Sequence, residues 1–135
     1  SSQQLAVETV AAARQANQKR LLVARREELD ATWEQVVEAV SSAKFKGRSD
    51  MLKALVAEAL EAGTEGMSLR PVSKDRKALE QSAKSIDFRD DIDGIGGFVL
   101  ESKDGLVVID YRFEGRLRTA WETSLGDVST ILFGE

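Results

Sequence analysis

The sequence predicts an α+β fold. It reads as a long N-terminal helix followed by a compact two- or three-layer α/β domain with a small mixed sheet, a C-terminal β-hairpin and a closing C-terminal helix. Three observations predict it. No Pro or Gly interrupts residues 3–40, where Ala, Gln, Glu, Arg and Leu dominate and favour helix. Two β-rich runs, Phe98-Val99-Leu100 and Leu106-Val107-Val108-Ile109, flank an Asp-Gly pair, a hairpin pattern. A last apolar stripe, Phe113, Leu117, Trp121, Leu125, Val128 and Leu132, recurs at helical spacing. Residues 1–40 are accordingly read as a helical segment whose C-terminal half packs on a globular domain spanning residues 49–135.

The first helix has room for about 55 Å of length at 1.5 Å per residue, more than a domain of this size covers, so part of it is expected to project. Its apolar residues fall on two faces. Leu22, Leu29, Trp33, Val36 and Val40 form a bulky stripe, expected to pack on the chain's own domain. Upstream, that stripe holds Gln4, Glu8, Gln15 and Gln18, and the apolar positions move to Ala6, Val10, Ala13, Leu21 and Ala24. This second, small-residue face is expected to receive a partner helix, because an isolated helix is marginal in water. Its spacing lies nearer an 11-residue than a 7-residue repeat, which favours a right-handed supercoil. A solvated helix stiffened by charge pairs within Arg25-Arg26-Glu27-Glu28 is the competing reading. The start, Ser1-Ser2-Gln3-Gln4, is already helical in character and is read as the middle of a longer helix.

Ser41-Ser42 through Gly47-Arg48 breaks the helix. Ser49 is then expected to cap a second helix with Leu52, Leu55, Val56, Ala59 and Leu60 inward, ended by Gly63. Met67, Leu69 and Pro71 alternate as a short strand, with Pro at its end or on an edge. Ser73 is expected to cap a third helix running to about Lys84 with Leu79 and Ala83 inward, and Ile86 to Phe88 reads as another short strand. In the hairpin, Asp104-Gly105 predicts a type I′ turn with positive φ at both residues. Both hairpin strands are apolar at consecutive positions, so both faces of the sheet are expected to be covered. Asp110 is expected to cap the last helix.

Composition narrows the function. Hydrophobic residues make up 42% and charged residues 31% of 135 residues, with a net charge of −4. That is the balance of a chain with one modest core and no basic footprint for nucleic acid. There is no Cys, hence no disulfide, thiolate or zinc–sulfur site, and no His, the commonest general base near neutral pH. No run approaches the roughly 20 apolar residues of a membrane span. No direct membrane insertion is therefore expected.

Candidate chemical motifs fail on inspection. Gly94-Ile95-Gly96-Gly97 precedes a strand instead of opening a helix, and lacks the Gly-Lys-Ser/Thr of a phosphate loop. Asp91-Ile92-Asp93-Gly94 would place Arg89 and Leu100 at the two decisive ligand positions of a calcium loop. Asp90, Asp91 and Asp93 therefore read as a solvated acidic turn. Glu101, Asp104, Asp110 and Glu114 are accounted for by edge polarity, turn formation, helix capping and the helix dipole. Phe113, Trp121 and Phe133 read as core. The expectation is a protein without catalytic residues, cofactor or metal.

One stretch resembles a known family. Gly96-Gly97-Phe98-Val99-Leu100-Glu101-Ser102-Lys103-Asp104-Gly105, then Asp110-Tyr111-Arg112-Phe113-Glu114-Gly115-Arg116-Leu117, then Ile131-Leu132-Phe133-Gly134, is similar to the C-terminal signature of the E subunit of archaeal/vacuolar-type (A/V-type) rotary ATPases. The order and spacing match over about 40 residues. The signature positions are Gly96, Gly97, Asp104, Gly105, Asp110, Phe113, Glu114, Arg116, Leu117, Leu132, Phe133 and Gly134. The chain departs from the family pattern at Tyr111-Arg112, where an Asn and a small residue are common, and at Gly115, where Ala is common. The resemblance implies a non-catalytic peripheral-stalk (stator) subunit on the cytoplasmic face of the cell membrane. Its helix would pair with a second helical stalk subunit in a heterodimeric coiled coil. Its globular end would hold the N-terminal region of the nucleotide-binding head subunits, and the complex would reach the membrane-embedded stator subunit. The alternatives are a stator-like regulator of a flagellar or type III export ATPase, whose terminal signature differs, and a free-standing helical adaptor that self-associates.

Overall fold

The computed structural model describes residues 1–134 and contains a mixed α+β chain. In order it has α1 (Ser2–Ser41), α2 (Arg48–Ala62), β1 (Met67–Pro71), a 3₁₀ turn (Ser73–Asp75) running into α3 (Arg76–Ser82), β2 (Asp87–Phe88), β3 (Gly97–Ser102), β4 (Val108–Arg112) and α4 (Phe113–Phe133). Two compact units divide it, residues 1–35 and residues 36–135.

In the first unit every residue from Ser1 to Ala24 is exposed, including Leu22 of the bulky stripe at 65%. Leu29 and Trp33 are half-buried.

The second unit carries the core. Its sheet has the order β2-β1-β3-β4. β1 runs parallel to β2 and antiparallel to β3, with Leu69 opposite Leu100. β3 and β4 form the antiparallel hairpin, with Leu100 opposite Ile109. Leu52, Leu55, Val56 and Ala59 recur along one face of α2 and are buried together with Leu69, Leu79, Phe98, Leu100 and Phe113. Pro71 ends β1, where its missing N–H disturbs no interior ladder bond.

Several local expectations give way to tertiary contacts. α2 starts at Arg48, with Gly47 at the cap position and no side-chain cap. Ser49 lies inside its first turn because Arg48 is drawn into the interior. Leu60 is 46% exposed; it falls outside the face that meets the sheet. Ser73 lies one residue inside its turn, where Val72 holds the cap position and its carbonyl accepts from the Asp75 N–H at 2.9 Å. Asp110 belongs to β4 and does not cap α4. Its carboxylate accepts from the Arg112 N–H (2.8 Å) and guanidinium (2.7 Å), while the first amide of α4, Phe113, donates to the Gly96 carbonyl at 2.9 Å.

The hairpin turn is also different. Gly105 has φ +74°, whereas no residue other than Gly has positive φ among the described residues, so the turn is not type I′. The Asp104 carboxylate accepts from the Ser102 hydroxyl (2.6 Å) and the Leu106 N–H (3.0 Å). That bonding is local Asx-type turn chemistry, and it leaves the left-handed conformation to Gly105 alone. The Ser102 N–H reaches the Val107 carbonyl at 2.9 Å, so the loop is longer than two residues and β4 begins at Val108.

Coverage of the sheet is uneven. Phe98, Val99 and Leu100 of β3 are 0, 7 and 0% exposed, whereas Leu106, Val107, Val108 and Ile109 are 84, 51, 58 and 37% exposed. β4 stands at the edge of the sheet, and apolar composition alone does not distinguish an edge strand from a central one. α4 closes the core with its first turns: Phe113 is fully buried and Leu117 packs against the core, while Leu125 and Leu132 are 38 and 37% exposed.

Candidate interaction surfaces

Part of the signature, Gly96, Gly97 and Phe113, meets at one junction. Gly96 and Gly97 bring the chain against the start of α4 so closely that side chains are excluded. A methyl group on Gly96 would collide with the Phe113 ring and come within 2.6 Å of the Arg48 guanidinium. One on Gly97, whose φ is +94°, would lie 2.5 Å from the Tyr111 carbonyl oxygen. A glycine pair is thus required by close approach and by backbone conformation together.

Beneath this junction lies a buried ion pair. The Arg48 Nε and Nη2 donate to the two oxygens of the Asp75 carboxylate, each at 2.9 Å. The fork is bidentate, and both residues are nearly buried, at 6 and 2% exposure. Arg48 also donates to the carbonyls of Val40 and Ile95, each at 2.8 Å, and its guanidinium sits 4.9 Å from the centre of the Phe113 ring. Asp75 additionally accepts from the Gly97 N–H at 2.8 Å. The pair therefore ties the end of α1, the start of α2, the 3₁₀ turn, the glycine turn and the start of α4 into one network. Its donors and acceptors are well satisfied, which a buried pair requires.

Other signature side chains act around it. Arg116 pairs with Glu58 of α2 at 3.0 Å, and Leu117 packs on the core. Glu114 lies in the first turn of α4, favourable for its charge, and its Oε1 is buried without a hydrogen-bond partner. At the other end of α4, Phe133 is half-buried and Gly134 caps the helix in the left-handed conformation (φ 74°), its N–H reaching the Thr130 carbonyl at 2.8 Å. Asp104 and Gly105 shape the hairpin turn, away from the junction.

Asp90, Asp91 and Asp93 are exposed, as expected of a solvated acidic turn, and arginines brace that turn. Arg76 pairs with Asp91 at 2.7 Å and donates to the Arg89 carbonyl, Arg70 donates to the Asp90 carbonyl, and Arg112 donates to the Asp93 carbonyl. The Asp91 hydrogen bond raises the Arg76 pKa further above its already high ordinary value. Among the described residues no group of three or more His, Cys, Asp or Glu is placed to hold a metal ion.

Among the described residues, exposed apolar side chains include the 106–109 edge and Ile131 at 82%. On α1, Ala6, Val10, Ala13, Leu21 and Ala24 are exposed, with Val10 and Leu21 at 51 and 53%, and so are Leu5, Val7, Leu22 and Val23 at 48 to 69%. Depressions on α1, such as one of about 470 Å³ lined by Ala16, Lys19, Arg20, Val23, Ala24 and Glu27, are formed by a single helix and enclose nothing. No described helix is long and apolar enough to cross a membrane.

Comparison with known proteins decides the family. Residues 3–133 match the family described as ATP synthase (E/31 kDa) subunit. The chain belongs to this family. Among its relatives, the A-type ATP synthase E subunit of Methanosarcina mazei is 32% identical over 117 residues, and that of Methanosarcina barkeri 30% identical over 117. Each alignment covers 86% of this chain and 62% of the relative. The corresponding protein of Methanococcoides burtonii is 32% identical over 114 residues, covering 84% of this chain and 60% of its own length. The chain thus spans about three-fifths of the length of these relatives.

In this member of the family, the residues that sequence reasoning missed are Arg48 and Asp75. They lie 27 positions apart, on segments read as a helix break and a helix start. A signal was available: an Arg next to a helix-breaking Gly47, and an Asp within Ser73-Lys74-Asp75. Neither pattern names a partner.

Proposed function

We propose that this chain is a non-catalytic peripheral-stalk subunit of an A-type ATP synthase, acting as a stator. The family match over residues 3–133 carries this reading. In it, the segment 1–40 is the stalk helix and residues 49–135 the domain that holds the head. The task is mechanical: the stalk keeps the head from turning with the rotor, so that ion transport stays coupled to ATP synthesis or hydrolysis. A helix face bearing Ala6, Val10, Ala13, Leu21 and Ala24 suits close approach of a second helical stalk subunit. A domain joined through the Arg48–Asp75 network suits transmission of load, because its elements share one cross-linked, buried junction. The globular domain would grip the N-terminal region of the nucleotide-binding head subunits, and the complex would reach the membrane-embedded stator subunit at the cytoplasmic face of the membrane.

Isothermal calorimetry tests this. The chain should bind the second helical stalk subunit and, separately, the noncatalytic nucleotide-binding head subunit. Ala6→Glu, Val10→Glu and Ala13→Glu should together abolish the first interaction and spare the second. A folded chain that binds neither refutes the proposal, and concentration-dependent self-association in sedimentation without either subunit favours a free-standing adaptor.

A further inference from the structure

Beyond Glu8, the exposed helix is electrically polarised. From Thr9 to Arg26 the charged residues are Arg14, Lys19, Arg20, Arg25 and Arg26, all cationic; from Glu27 to Val40 they are Glu27, Glu28, Asp30, Glu34 and Glu38, all anionic. Neighbouring residues on a helix surface lie three or four positions apart. No acidic residue stands at those distances from Arg14, Lys19 or Arg20, and none that is basic from Glu27 or Glu34. The helix therefore does not compensate Arg14, Lys19, Arg20, Glu27 and Glu34 along its own surface, whereas Glu28 stands three positions from Arg25 and Asp30 four from Arg26. At 100° per residue, Arg14 and Arg20 fall on opposite flanks of the face that carries Val10 and Leu21, while Glu28 falls within its continuation and Glu27 beside it. Every residue from Ser1 to Ala24 is exposed.

Resting on the stalk reading above, in which the docking helix comes from the second stalk subunit, we propose that this helix carries the opposite charge order. It presents an acidic segment beside Arg14 and Arg20, and a basic segment about 16 Å further along, beside Glu27 and Glu28. Charge complementarity fixes the register and direction of the partner where small, featureless side chains leave sliding open. A second copy of this chain does not fit. Paired in parallel, it sets cation against cation. Paired antiparallel about the middle of the Val10–Leu21 face, it brings Arg14, Lys19 and Arg20 of both copies together. Paired antiparallel about Arg26–Glu27, it matches charges but leaves residues 6–11 beyond the end of the other helix at Ser41.

The test uses the intact chain and the second helical stalk subunit as probe, with dissociation constants measured at about 50 mM and about 500 mM salt. Arg14→Glu/Arg20→Glu should weaken binding about tenfold at low salt and by much less at high salt, since exposed charges are screened. The fourfold variant Arg14→Glu/Arg20→Glu/Glu27→Lys/Glu28→Lys keeps the net charge and inverts the sign at these four positions along the face. It should bind more weakly still. Far-UV circular dichroism establishes that each variant retains its helix. If the subunit binds, Val10→Glu weakens it, and the charge variants stay within twofold of the parent at low salt, the charge-order proposal is overturned while the stalk reading stands. If Arg14→Glu/Arg20→Glu instead promotes self-association, a second copy is the occupant and the proposal fails. Absence of any binding by a folded chain overturns both.

Discussion

Residues 1–24 and the core of residues 36–135 use the same apolar vocabulary to different ends. On α1, Leu5, Val7, Val10, Leu21, Leu22 and Val23 are all exposed, between 48 and 69%. In the domain, Leu69, Leu79, Phe98, Leu100 and Phe113 are fully covered. The apolar side chains that stabilise the fold are therefore those of the domain, whereas those of the early helix are left exposed.

The largest expected effect breaks the domain. Asp75→Ala removes both acceptors of the Arg48 fork and the acceptor of the Gly97 N–H, leaving a cation buried without its anion. Such a loss costs about 3–5 kcal/mol. The fall in the urea midpoint should be deep. Val10→Glu, by contrast, should leave the midpoint within about 0.5 kcal/mol of the parent. Equal effects of the two substitutions would erase the division between the regions. An apolar replacement of both Arg48 and Asp75 should recover only part of the loss, because the Val40 and Ile95 carbonyls and the Gly97 N–H would still lack partners.

A smaller effect, of opposite sign, sharpens the comparison inside α4. Gly115 lies within that helix, and a methyl group added there meets nothing within 4 Å. Gly115→Ala should raise stability by about 1 kcal/mol through helix propensity and a less flexible unfolded chain. Thermal unfolding of the domain checks this. A loss of stability would mean that α4 near Gly115 depends on close contacts, as the core does.

What can be read in advance follows from how local each cause is. The inward residues Leu52, Leu55, Val56 and Ala59 announce themselves by helical spacing, because burial of one face imposes a period, and β3 by its unbroken apolar run. The long α1 is written in uninterrupted helix formers. The capping expected at Ser49, Ser73 and Asp110 fails for a shared reason. Each has a side chain able to cap a helix, but the start of that helix is set by a contact distant in sequence: Arg48 with Asp75, Val72 within the core, and the Gly96 carbonyl with the Phe113 N–H. The exposure of Leu106 to Ile109 is hidden because strand order is a tertiary property. For the surfaces, the apolar face and the charge blocks of α1 are visible in the sequence alone. The buried Arg48–Asp75 joint is not, because its two halves are joined only by folding.

The smallest effect concerns the same edge strand. Asp110 is held below its ordinary pKa, first by the hydrogen bond from the Arg112 guanidinium and also by the Arg112 backbone N–H. Asp104 is lowered by the Ser102 hydroxyl and the Leu106 N–H. A carboxylate whose folded pKa lies below its unfolded value, about 3.9 for Asp, stabilises the fold above that unfolded value. The contribution disappears as pH falls through the folded value. Between pH 5 and pH 3 the urea midpoint should therefore decline with acid, and less steeply in Asp110→Asn than in the parent. At pH 7 the parent should exceed the variant by only a small margin, since the Asp110–Arg112 pair is largely exposed and exposed pairs contribute little. Parallel acid profiles would show that the pair orders the end of β4 without stabilising it, and would leave the edge strand energetically closer to the exposed helix than to the core beside it.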